Sequence, residues 1–130
     1  MDLLVGSDVA VLNIYPGFSL HDEMALFVSE LGMTPAEVIE RATGRSARFL
    51  RIADSVGAIE RGKVADLVLL EANPLEDIRN TRRIAAVILR GRLYDQDGIK
   101  QILAAVRAAP DRRIDDWGRT APARNRNRTK

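Results

Sequence analysis

The chain has 130 residues, 46% hydrophobic and 29% charged, which suits one globular domain and excludes a complete (β/α)8 barrel of about 250 residues. It has no cysteine, no apolar run near 18 residues and no basic-then-apolar leader; this excludes disulfides and thiolate metal sites and reads as a soluble, cytoplasmic protein without membrane contact. The net charge of +2 is unevenly placed: residues 110–130 carry seven Lys and Arg against three Asp, leaving the rest of the chain net acidic.

Leu3 to Gly6 is an apolar run ending at Ser7-Asp8, the pattern of a parallel strand entering a loop. Taken alone, Asp8 reads as a turn or cap residue. Val9 to Tyr15 is an uneven apolar loop leading to the turn signal Pro16-Gly17. Ser19 and Asp22 have the spacing of a capping box with a short acid, which makes Ser19 the expected N-cap. Leu20, Met24, Phe27 and Leu31 follow at helical spacing, and Gly32 closes that helix. The only histidine, His21, falls in its first turn. As an ordinary polar residue it would be held protonated by Asp22 and Glu23 beside it. Thr34-Pro35-Ala36-Glu37 starts a second helix with cap, proline and glutamate in order. It carries Val38, Ile39 and Ala42 and is expected to stop near Gly44, before a short turn, Ser46 to Leu50, that takes Phe49 and Leu50 inward.

The stretch Gly57 to Leu70 is the most informative. Gly57 and Gly62 supply two corners around the apolar Ile59, which is expected to thread inward, and Ala65 to Leu70 reads as a strand buried on both sides. Asn73-Pro74 ends it, and Leu75 to Arg79 makes at most one helical turn. Ile84 to Leu89 and Leu93-Tyr94, joined by Arg90-Gly91-Arg92, form a hairpin. Ile99, Ile102, Leu103 and Val106 then mark a helix that Pro110 ends. The basic tail, 110–130, is expected to be disordered. With Trp117 its only aromatic residue and no recognition fold, nucleic-acid binding is not expected.

The ordered series Gly6-Ser7-Asp8, Pro16 to Glu23, Thr34-Pro35-x-Glu37 with Ala42-Thr43, Gly57 to Leu70, Asn73 to Ile78 and Ile84 to Tyr94 resembles the C-terminal part of metal-dependent amidohydrolases of the imidazolonepropionase and Xaa-Pro dipeptidase-like group, over roughly residues 3 to 95. The resemblance implies an α/β fold: a partial (β/α)8 barrel, comprising its last strand and helices, with C-terminal strands of an accessory β-sandwich. It divides the chain into 1–56, the last barrel strand and following helices; 57–94, sandwich strands; 95–109, a C-terminal helix; and 110–130, the tail. It makes Asp8 the catalytic aspartate and a ligand or neighbour of the metal, taking a proton from the attacking water. It places His21 along the substrate pocket. The activity implied is hydrolysis of carbon–nitrogen bonds in small cyclic amides or dipeptides.

Such chemistry uses a zinc-like divalent metal with at least three protein ligands. In the family these are mostly histidines from earlier strands, and of that set this sequence holds only Asp8. No glycine-rich phosphate loop, nucleophile elbow or paired histidines on a helix appears either. The chain alone is therefore expected to bind no metal. It reads as a truncated or split product, or as one piece of an enzyme whose complementing N-terminal chain carries the histidines. The alternative is a non-catalytic oligomerisation or interaction module derived from that fold, with a homo-oligomer as its form.

Overall fold

A computed structural model describes residues 3–6 and 17–108. Ser7, Asp8, the Val9 to Tyr15 loop, Pro16, Pro110 and the basic tail lie outside the described residues. The chain divides into two compact units, 1–99 and 100–130.

The first unit opens with 3–6, then α1 (Phe18–Ser29), α2 (Pro35–Glu40), a π-helical turn (Arg41–Arg45) and α3 (Ser46–Phe49). Leu3 to Gly6 is not a strand. A strand needs a neighbour to share its backbone hydrogen bonds, and here side chains take them: Arg41 Nη1 donates to the Leu3 carbonyl at 2.7 Å and Glu23 Oε2 accepts from the Gly6 amide at 3.1 Å. Gly17, not Ser19, is the N-cap of α1, with φ +88° and no side-chain cap. The helix starts one residue before Ser19, so Ser19 lies inside it. Gly32 does follow the end of α1 at φ +65°, and the Met33 amide donates to the Phe27 carbonyl across that turn at 3.2 Å.

Thr34 forms the full capping box. Its Oγ1 accepts from the Glu37 amide at 3.3 Å, and Glu37 Oε2 accepts from the Thr34 amide at 2.8 Å. The helix does not stop near Gly44. Gly44 sits in the π turn, where Ser46 Oγ donates to the Arg41 carbonyl at 2.6 Å, and helical backbone continues to Phe49. Val5, Met24, Val38 and Ile78 form the core, with Leu20, Phe27 and Ile39 packed on it.

β1 (Leu67–Leu70), β2 (Ile84–Leu89) and β3 (Arg92–Asp95) make an antiparallel sheet in that order, with a 3₁₀ turn (Ile78–Arg82) between β1 and β2. Leu67 pairs with Ile88, and Leu89 with Arg92. Arg90 and Gly91 both have positive φ, the type I′ hairpin geometry that matches strand twist. Asp66 Oδ1 accepts from the Arg90 amide at 2.6 Å, tying this turn to the approach of β1.

Several burial expectations fail together. Phe49 is 73% exposed and Leu50 is exposed too; Ile59, expected inward, is 86% exposed; Val68 and Leu69, neighbours on opposite faces of β1, are 56% and 61% exposed. The cause is common to all. β1 is an edge strand, and among the described residues Val68, Leu69 and the end of α3 are left largely uncovered. Gly57 and Gly62 do take the positive φ expected of corners. α4 (Gln96–Ala108) runs across the division between the units, and none of its residues is buried.

Candidate functional site

The site begins with the strong local signal Asp77-Ile78-Arg79. Asp77 Oδ1 accepts from the Arg79 amide at 2.9 Å and so caps the 3₁₀ turn, while the Arg79 side chain closes on the same carboxylate at 2.8 Å. That contact and the amide bond hold the Asp77 carboxyl below its ordinary range. Asn80 Nδ2 donates to the Asn73 carbonyl at 2.9 Å and fixes the turn on the preceding loop. Ile78 is thereby buried in the core and Thr81 is buried against α1.

From α1, His21 meets that turn: its Nδ1 lies 3.0 Å from Thr81 Oγ1. Thr81 Oγ1 in turn donates to the Ile78 carbonyl at 2.8 Å. A carbonyl cannot donate, so the single hydroxyl proton is spent there and His21 must supply the proton of the other bond. The ring is thus assigned as the Nδ1–H tautomer, with Nε2 as its acceptor. One residue along, Asp22 pairs with Arg82. Burial lowers the His21 pKa first, the Arg82 charge lowers it further, and Asp22 opposes both. The protonated His21 expected from neighbouring acids is therefore corrected, because burial and a cation outweigh Asp22.

His21 and Thr81 lie on the wall of an open apolar groove of about 740 Å³ between the helices and β1, whose other walls include Leu20, Met24, Ile39 and Leu67. Asp8, the other expected site residue, lies outside the described residues. Sequence reasoning missed Thr81, and no local signal marks it, since its partner is 60 positions away. Among the described residues no three His, Cys, Asp or Glu side chains come together as a metal site, so they do not by themselves fit a divalent metal. No described helix is long and apolar enough to cross a membrane.

The described helices and the three-stranded antiparallel sheet define a small α/β segment. A match to the amidohydrolase family spans residues 2–94, and the chain belongs to that family. The chain is 45% identical over 60 residues to an imidazolonepropionase of Desulfotalea psychrophila, covering 43% of this chain and 14% of that one. It is 33% identical over 101 residues to an ochratoxinase of Aspergillus niger, covering 75% and 20%. A solved Xaa-Pro dipeptidase with methionine in its active site superposes with a TM-score of 0.54 at 39% identity, over 58% of this chain and 18% of that one. The chain thus spans at most a fifth of the length of these relatives.

Proposed function

We propose that the chain is the C-terminal segment of a metal-dependent amidohydrolase that cleaves carbon–nitrogen bonds of cyclic amides or dipeptides, active only with a complementing N-terminal barrel half. The observation that carries this reading is the family match across residues 2–94, set against the small share of each relative's length that the chain covers. In this reading residues 1–56 are the last barrel strand and its helices, 57–94 are strands of the accessory β-sandwich, 95–109 the C-terminal helix and 110–130 a basic tail. Asp8 is the catalytic aspartate and the chain's contribution to a zinc-like divalent metal, and His21 borders the substrate. The exposed apolar residues on both faces of β1 support a missing covering layer. The absence of cysteine suits a cytoplasmic setting.

The experiment is metal analysis and amide hydrolysis, first on the purified chain and then on the chain co-expressed with the barrel half. The expected result is neither tight metal nor turnover alone, and both when paired. Asp8→Ala should then abolish turnover while the pair stays assembled. One divalent metal per lone chain that survives dialysis would sink the proposal. The same exposed apolar faces support a second reading, a non-catalytic module that self-associates. Sedimentation as a monomer at all concentrations would remove it.

A further inference from the structure

α4 has two unlike faces. At about 100° of rotation per residue, Ile99, Ile102, Leu103 and Val106 fall within one arc of roughly 100° along the helix. Ile102, Leu103 and Val106 are exposed, and no residue of α4 is buried. Lys100 and Arg107, about two turns apart, fall in line along one border of that arc, while Asp97 falls on the opposite face. Lys100, Leu103 and Arg107 line one open surface, so the cations do edge the apolar stripe. Beyond the helix the sequence adds Arg124, Arg126, Arg128 and Lys130, with no acid among residues 124–130. The family match ends at residue 94, ahead of α4, and gives this stripe no partner.

We propose that α4 is a docking surface for an anionic membrane, lying along the lipid with its apolar stripe at the acyl boundary and Lys100, Arg107 and the terminal basic run on the headgroups. The expectation of no membrane contact rests on the lack of a spanning run, and a helix lying in the interface needs none. Charge decides between occupants. Nucleic acid would pair the cations and leave the apolar arc in water, and an apolar protein groove would cover the arc without using the cations. An anionic lipid surface takes both at once. The stems of Lys100 and Arg107 can lie along the edge of the stripe while their heads reach lipid phosphates and carboxylates. The site does not depend on the hydrolase reading.

The test is flotation of the full chain with vesicles of phosphatidylcholine alone or of phosphatidylcholine and phosphatidylserine in equal parts. Binding to the mixed vesicles should be about tenfold or more tighter and should fall steeply as salt rises. No binding to the mixed vesicles, or equal binding to both, overturns the proposal. Leu103→Gln with Val106→Gln keeps every charge and should weaken vesicle binding about tenfold or more. Both side chains are exposed, so the urea midpoint of this variant should stay put. Unchanged vesicle binding by the folded variant would put the contact on the tail or the sheet faces and overturn the proposal. Lys100→Gln with Arg107→Gln should cut the preference for phosphatidylserine about tenfold; an intact preference would remove the two cations from the role. Self-association through Leu103 and Val106 without vesicle binding would give the stripe to a second copy and also overturn it. So would binding of a DNA duplex as tight as that of the mixed vesicles and indifferent to the Leu103→Gln, Val106→Gln change. No turnover, metal or barrel half enters these measurements, so failure here is distinguishable from failure of the hydrolase reading.

Discussion

Gly57 and Gly62 have nearly the same backbone, φ +92° and φ +91°, but very different surroundings. A Cβ on Gly62 would meet nothing within 4 Å, whereas one on Gly57 would lie 2.6 Å from the Ala47 Cβ and 3.3 Å from both the Gly44 Cα and the Thr43 carbonyl oxygen. Placing an L-residue in left-handed backbone costs about 1–2 kcal/mol. Relieving an overpacked contact costs about 1–3 kcal/mol more. Gly62→Ala should therefore destabilise by about 1–2 kcal/mol and Gly57→Ala by roughly 2–5 kcal/mol. The assay is urea unfolding, in which an excess of about 2 kcal/mol lowers the midpoint by roughly 1–2 M at the slopes of small proteins. Adding Ala47→Gly to Gly57→Ala should recover part of the loss, read as a coupling in a double-mutant cycle. Equal midpoints for the two single variants would refute the close approach of this loop to the π turn.

Val38→Ala, at a fully buried side chain, should cost roughly 2–3 kcal/mol by denaturant titration, from two lost methyl groups and the cavity they leave. Thr34→Ala should cost about 1 kcal/mol by the same measurement. Hydrogen bonds from the Thr34 amide and hydroxyl lower the Glu37 pKa, so their contribution is present above the unfolded value and lost as pH falls through the folded one; the Thr34→Ala chain keeps the amide donor, the larger cause, and should lose only the hydroxyl's share of that acid-side dependence. His21 also has a lowered pKa. Its neutral form is the one favoured by folding, so its contribution is full above the ordinary value of 6.5 and declines as pH falls toward the folded pKa. An NMR titration should place its midpoint below 6.5, and Arg82→Gln should move that midpoint up.

Signals confined to a few neighbouring residues could be read from the sequence. The Thr34 box and the Arg90-Gly91 turn are such cases, because cap and turn bonds close within four residues. Ser19 was misread because Gly17, free to take positive φ, starts α1 ahead of it. Burial was less legible. The runs at Phe49-Leu50 and Leu67 to Leu70 report residues that favour a covering layer, and pattern cannot say whether the described chain supplies one. Leu3 to Gly6 has strand-like residues, but among the described residues no strand pairs with it. The His21–Thr81 bond was beyond reach for another reason: it joins two separate elements, and neither residue marks the other.

The π turn has a mechanical consequence. In a regular helix Glu40 and Arg48 would be separated by about 12 Å of rise and rotated about 80° apart. Instead Arg48 Nη2 donates to Glu40 Oε1 at 2.6 Å. The wider π winding works as a one-residue spacer, turning the last helical segment back into line with the first. Trimming one residue from Arg41–Arg45 would leave Glu40 and the arginine seven positions apart, about 10.5 Å and 20° from each other in a regular helix, so the charges would stay in line and Ala47 would keep its seat beside Gly57.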